Sequence, residues 1–127
     1  MKEQTEVGKL KEGRYVLIDG EVCVIKSITK SKPGKHGSAK ARIDAIGLFD
    51  NQKRSLVQPV DAKIYVPIVE RKTAQVLSIS GNVVQLMDME TYSTFEIKVT
   101  DEELAKLEEG KDVQYLTSMG KIKLDIR

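Results

Sequence analysis

The residues that could do chemistry in this chain are few, and they are gathered. Its one histidine, His36, stands beside Lys35, and Gly34 and Gly37 bracket the pair in SKPGKHGSAK, residues 31–40. A glycine-flanked lysine invites a phosphate-loop reading, which needs a glycine five residues earlier, Ser or Thr after the lysine, and then a helix. Thr29 stands at the first place and His36 at the second, and a strand pattern follows. That reading fails. One His and one Cys cannot assemble a zinc site of the usual kind within one chain. A catalytic triad would have to use His36, which has no acid nearby in sequence to orient it. Asp88 and Glu90 have no clear catalytic partner. The sequence points away from an enzyme and gives no metal ligands and no catalytic residues.

What remains is a lysine on a turn. Pro33 fixes φ at the second turn position and Gly34 accepts positive φ at the third. Gly37 is a second unrestricted backbone point. Lys35 and His36 are thereby expected at the tip, with Ser31 and Ser38 making the arms polar. Such a lysine can meet an RNA or an enzyme that modifies it. A plain solvated hairpin tip is the alternative at this level.

The charge pattern narrows the choice of partner. Net charge is +2, but residues 1–70 hold 13 Lys/Arg against 9 Asp/Glu, and residues 71–127 hold 8 against 10. No acid lies between Glu21 and Asp44, a window that contains Lys26, Lys30, Lys32, Lys35, Lys40 and Arg42 besides His36. Such a run is either a solvated face or a footprint for phosphate contacts.

The elements that must position these residues are short strands. RYVLID and EVCVIKSIT flank Asp19-Gly20, a hairpin signal. In AKARIDAIG, Ala39, Ala41, Ile43 and Ala45 share one face and Lys40, Arg42 and Asp44 the other. The 31–38 stretch therefore joins two antiparallel strands. SLVQP and AKIYVPIVE add two more, with Pro59 and Pro67 at edges or ends. The pattern restarts near Glu70–Thr73. TAQVLSIS and VVQLMD flank Gly81-Asn82, and STFEIKV follows. TDEELAKLEEG predicts the one helix, N-capped by Thr100 with Glu103 as capping-box partner and stopped by Gly110. DVQYLTSM and KIKLDI complete an order of three strands, helix and two strands, which is that of an OB fold. The expected architecture is all-β with one short helix: an SH3-like barrel over residues 1–71 and an OB-fold barrel over residues 72–127. A single larger β-sandwich is the alternative.

Composition fits a globular chain, with 40% hydrophobic and 31% charged residues and no tryptophan. No apolar run is long enough to span a bilayer, and the N-terminus lacks a secretory h-region. The single cysteine, Cys23, lies in an apolar run and reads as core in a reducing cytoplasm.

The stretch GKHGSAK, preceded by Ser31, Lys32 and Pro33, resembles the hypusination loop of the archaeal and eukaryotic initiation factor 5A family. VGKLKEGRYVLIDGEVCVI before it and KARIDAIGLFD after it are also similar to that family, as is the two-barrel arrangement, so the likeness covers almost the whole chain. Pro33 and Ser38 stand where eukaryotic members have Thr and His, and the chain is short; both features match archaeal members. The resemblance implies that Lys35 receives an aminobutyl group from spermidine through deoxyhypusine synthase, giving deoxyhypusine or, after hydroxylation, hypusine, with no other cofactor. Lys32, Pro33, Gly34, His36 and Gly37 would form the modification loop, and Lys30, Lys32, Lys40 and Arg42 would contact RNA. The family is similar to bacterial elongation factor P. The implied role is a cytoplasmic, monomeric translation factor without membrane attachment. It would bind ribosomal RNA and P-site tRNA beside the peptidyl-tRNA and promote peptide bonds at stalls, notably at prolines. The OB half, net acidic and with only Tyr92, Phe95 and Tyr115 for stacking, would contribute less to RNA contact. An unmodified two-barrel protein that binds single-stranded RNA is the alternative.

Overall fold

The computed structural model describes residues 2–31 and 39–126. The chain divides into two units, Met1–Val69 with Ser118–Lys121, and Glu70–Thr117 with Ile122–Arg127. In the first unit, β2 (Tyr15–Ile18), β3 (Glu21–Ser31), β4 (Lys40–Gly47) and β5 (Lys53–Pro59) form a four-stranded antiparallel meander in sequence order. The β2–β3 hairpin turns on Asp19 and Gly20 at φ 53° and 76°, the left-handed pair that a two-residue hairpin needs. A separate ribbon pairs β1 (Lys2–Glu6) with β6 (Lys63–Pro67), from Lys2↔Pro67 to Glu6↔Lys63. Strand β1 carries no local signal, because KEQTE has no apolar alternation; its order comes from the pairing. Alternation in β4 holds: Ala41, Ile43 and Ala45 are buried, and Lys40 and Arg42 are exposed. They pack with Val7, Val16, Ile18, Cys23, Ile25 and Ile64 in one apolar cluster, and Cys23 is fully buried within it. The first unit is the small SH3-like barrel expected.

In the second unit, β7 (Glu70–Ser80), β8 (Val83–Asp88), β9 (Thr94–Lys98), β10 (Asp112–Ser118) and β11 (Lys121–Leu124) form one sheet in the order β11-β10-β7-β8-β9. Its first strand pairs with the second and the fourth, and helix α1 (Asp101–Leu104) lies between the third and the fourth. This is OB-fold connectivity. Ala74, Val76, Val84, Leu86, Val113 and Leu124 centre its core.

The helix is shorter than its sequence pattern. The capping box forms as expected: Glu103 N–H donates to Thr100 Oγ1 at 3.1 Å and Thr100 N–H to Glu103 Oε1 at 3.0 Å. The chain then leaves the helix, with Lys106 and Leu107 N–H reaching Glu103 O and Leu104 O, three residues back. Two causes are visible. Glu108 and Glu109 would oppose the helix dipole at a C-terminus, and β7 recruits the next residues. Gly110 N–H donates to Val76 O at 2.8 Å and Val76 N–H to Lys111 O at 2.9 Å.

That clamp occurs in both units. In the first, Gly13 N–H donates to Ile25 O at 2.8 Å and Ile25 N–H to Arg14 O at 2.9 Å. Both clamped strands carry a bulge at the same place, after Ile25 in β3 and after Val76 in β7, leaving Lys26 and Leu77 as the exposed extra residues. A bulge sharpens strand bending and lets one long strand serve two parts of a curled sheet. Just past each bulge a carboxylate takes an amide: Ile28 N–H donates to Glu12 Oε1 at 3.4 Å, and Ile79 N–H to Glu109 Oε1 at 3.1 Å. The clamping segments share the pattern Leu-x-Glu-Gly-(Arg/Lys)-x-Val, residues 10–16 and 107–113.

Candidate functional site

Strands β3 and β4 carry the site. They run antiparallel from Cys23↔Gly47 to Ser31↔Lys40, and the segment between those last two residues bears Gly34-Lys35-His36-Gly37. Lys32, Pro33, Gly34, Lys35, His36 and Gly37 lie outside the described residues, so the expected tip position of Lys35 does too. The described part is the platform at the base. Register there is fixed by the buried faces of both strands: a one-residue slip would turn Ala41, Ile43 and Ala45 outward.

Three of the expected RNA contacts belong to this platform. Lys40 is exposed and has no ionic or hydrogen-bonding partner among the described residues. Lys30 is exposed, and its Nζ donates to Gly8 O at 3.0 Å, which ties β3 to the short 3-10 turn Val7–Lys9. Arg42 is engaged with an acid. Its Nε and Nη2 donate to the Asp44 carboxylate at 3.3 Å each. The same carboxylate accepts Ser55 Oγ at 2.7 Å and Ser27 Oγ at 3.3 Å. The Ser55 hydroxyl and then the Arg42 guanidinium hold the Asp44 carboxyl below its ordinary range. The acid-free window of the sequence thus closes in space, because Arg42 and Asp44 lie two apart on one strand and so on one face. Of these three described residues, Lys40 and Lys30 carry positive charge that no acid offsets.

At the other end of β4, Arg54 Nη2 meets Asp50 Oδ2 at 2.8 Å and holds the Asp50 carboxyl down to about 2. A Cβ on Gly47 would fall 1.8 Å from Asp50 Oδ1, so a side chain there would have to displace the Asp50–Arg54 pair.

The OB unit offers little for stacking. Tyr115 is buried and donates its hydroxyl to Asp88 Oδ2. Its ring tilts against Phe95 at a centroid distance of 5.3 Å, so both rings belong to the interior packing. Tyr92 alone of the three is open, at 69% exposure. Asp88 also accepts the Glu90 and Thr91 amides at 2.8 and 2.9 Å. Asp88 therefore organises a turn through local amides and anchors it to Tyr115, a contact hidden in the sequence because the two residues lie 27 apart. Among the described residues no group of three His, Cys, Asp or Glu is placed to hold a metal, and no helix is long and apolar enough to cross a membrane.

Comparison with known proteins bears on both units. Residues 2–62 match the family described as translation initiation factor 5A-like, N-terminal. Residues 68–125 match the family described as eukaryotic elongation factor 5A hypusine, DNA-binding OB fold. Translation initiation factor 5A of Methanosarcina barkeri is 69% identical over 127 residues, covering 100% of this chain and 99% of the relative. That of Archaeoglobus fulgidus is 66% identical over 125 residues, covering 98% of each. Among solved structures, eukaryotic translation initiation factor 5A from Methanococcus jannaschii superposes with TM-score 0.88 at 45% identity, over 98% of this chain and 92% of the other. A translation initiation factor eif-5a family protein from Naegleria fowleri gives TM-score 0.81 at 33% identity, over 98% and 96%.

Proposed function

The chain belongs to the translation initiation factor 5A family and is thereby a translation factor; from that premise we propose that it works at the ribosome beside the peptidyl-tRNA, through a Lys35 extended to deoxyhypusine or hypusine. The observation that carries this reading is the Ser31↔Lys40 pair. It holds together both ends of the segment that bears Gly34-Lys35-His36-Gly37, at the end of an antiparallel pair whose buried face fixes it. Lys35 supplies the ε-amine as nucleophile for the aminobutyl group of spermidine; the bond between that group and the secondary amine of spermidine breaks, 1,3-diaminopropane leaves, and deoxyhypusine synthase is the partner that carries out the transfer. The product is a thin arm with two amines in place of one, suited to an RNA-lined passage. Lys40 and Lys30, with Lys32, would set its base against phosphates, and positioning is the main work of such contacts.

No acid–base step is asked of the factor. By steadying the acceptor end of the P-site tRNA it lowers the entropy cost of alignment, a term worth up to roughly 7–11 kcal/mol in well-oriented intramolecular reactions. The ribosome supplies most of that. The factor adds a small part where proline aligns poorly. A factor acting at the ribosome would be cytoplasmic, and we infer that it acts as a monomer.

The test is Lys35→Arg. Arg keeps a charge but cannot accept the aminobutyl group. Factor made with the synthase and spermidine should gain the mass of that group, and the variant should not. In synthesis of a proline-rich peptide the variant should fail to relieve stalling, with its thermal unfolding unchanged. Rescue by Lys35→Arg equal to that of modified wild type would refute the reading. An unmodified chain from its own host that still binds RNA would favour a plain single-stranded RNA-binding protein.

A further inference from the structure

We propose that a groove beside β1 and β2 binds a nucleotide unit of single-stranded RNA, at a site separate from the β3–β4 cations; the inference rests on the translation-factor reading only for the presence of RNA. The groove has a volume of about 370 Å³, within the ~300–1,000 Å³ range of small-ligand sites. Lys9, Lys11 and Arg14 line it together with Leu10, Tyr15 and Glu3. Lys11 and Arg14 are exposed, and neither has an acid or other side-chain partner among the described residues. Lys9 reaches Glu6 only at 4.0 Å. Lys11 and Arg14, with no acidic partner and beside the half-buried Tyr15 ring, fit the two phosphates that flank one nucleotide and its base together. Glu3, the one acid in the lining, can accept from an exocyclic base amine.

The second unit supplies an internal comparison. Its clamp segment borders a groove of about 230 Å³ lined in part by Lys106, Glu108, Lys111 and Asp112. With the two clamp patterns superposed, Lys9, Lys11, Arg14 and Tyr15 fall at the positions of Lys106, Glu108, Lys111 and Asp112. The second groove is charge-balanced and has no ring in its lining. The shared framework therefore requires neither the excess positive charge nor the tyrosine, and their presence in the first unit points to a ligand. The groove also lies toward the working end of the unit. Segment 8–14 runs beside β3 through Gly13–Ile25, Glu12–Ile28 and Gly8–Lys30 hydrogen bonds, and so approaches Ser31.

The experiment uses the full-length unmodified chain and a labelled oligocytidine of about twelve nucleotides, whose bases carry the exocyclic amine, with affinity followed by fluorescence anisotropy across a salt series. Lys11→Gln/Arg14→Gln should weaken binding roughly tenfold and lower the log K–log salt slope by about 1.4, since each phosphate contact on a single strand contributes about 0.7. Tyr15→Leu should weaken binding with the slope unchanged. Lys106→Gln/Lys111→Gln, in the balanced groove, should change neither. The inference falls if wild type does not bind, or if the Lys11/Arg14 double variant keeps both affinity and slope. It also falls if polyglutamate competes as well as RNA of equal charge, which would assign the groove to an acidic protein. Because the chain is unmodified, these outcomes are independent of the Lys35→Arg result, and each reading can fail alone.

Discussion

Asp88 shows how much one buried carboxylate organises. It is 2% exposed, takes the Tyr115 hydroxyl on one oxygen and the Glu90 and Thr91 amides on the other. The Tyr115 hydroxyl first, and then the backbone amides, hold its carboxyl down to about 2. Burial and then the Asp88 contact push the Tyr115 phenol well above its ordinary range. An unfolded Asp titrates near ~3.9. The depressed folded value means that the charged carboxyl contributes stability fully above about pH 4, and that this is lost as pH falls through about 2. Tyr115→Phe removes one charged-acceptor hydrogen bond and should cost about 1.5–3 kcal/mol. Asp88→Asn should destabilise the chain at neutral pH and flatten the decline between about pH 4 and 2. Urea midpoints measured at pH 7 and across that range check both; a Tyr115→Phe midpoint equal to wild type at pH 7 would mean that the contact contributes nothing net. Legibility at this scale was uneven. Gly34-Lys35-His36-Gly37 reads directly as a motif because its information is local. The Arg42–Asp44 pair was also within reach, since residues two apart on a strand share a face. Tyr115–Asp88 was not, because nothing in either neighbourhood names the other.

The strands show where local pattern is sufficient. Alternation placed β4, and turn chemistry placed the hairpins at Asp19-Gly20 and Gly81-Asn82. Pattern failed at β1, which is polar on both faces and is ordered by β6, and at the end of α1, where β7 takes Gly110 and Lys111 for its own ladder. The clamps depend on backbone geometry that is almost free of packing. Gly13 and Gly110 sit at φ 82° and 85°, and a Cβ added at either would meet nothing within 4 Å. Alanine there should therefore cost only the left-handed penalty, about 1–2 kcal/mol. Asparagine, which tolerates that region, should recover much of it. Denaturant unfolding of Gly110→Ala beside Gly110→Asn measures the difference, and equal losses would show that the strain argument is wrong.

Across the whole molecule the same clamp is built with opposite chain order. In the first unit the Leu-x-Glu-Gly-(Arg/Lys)-x-Val segment precedes the bulged strand it grips; in the second it follows. A search for a repeat of fixed period does not see it, although both copies are written in the sequence. The reversal also changes how far the chain must travel to close each ring. The Glu12–Ile28 bond spans 16 residues and the Glu109–Ile79 bond spans 30. Near-doubling of a loop adds about 0.6 kcal/mol to its closure entropy, or roughly a threefold slower closure if the entropy is met before the barrier. The first clamp can also close during synthesis as soon as β3 has emerged, while the second waits for almost the entire chain. In pulse-labelled refolding the Ile28 amide should gain protection before that of Ile79, and simultaneous protection would show that the two clamps close in one event. The β3–β4 platform would then be the earlier-formed part of the molecule, already in register before the OB unit has closed.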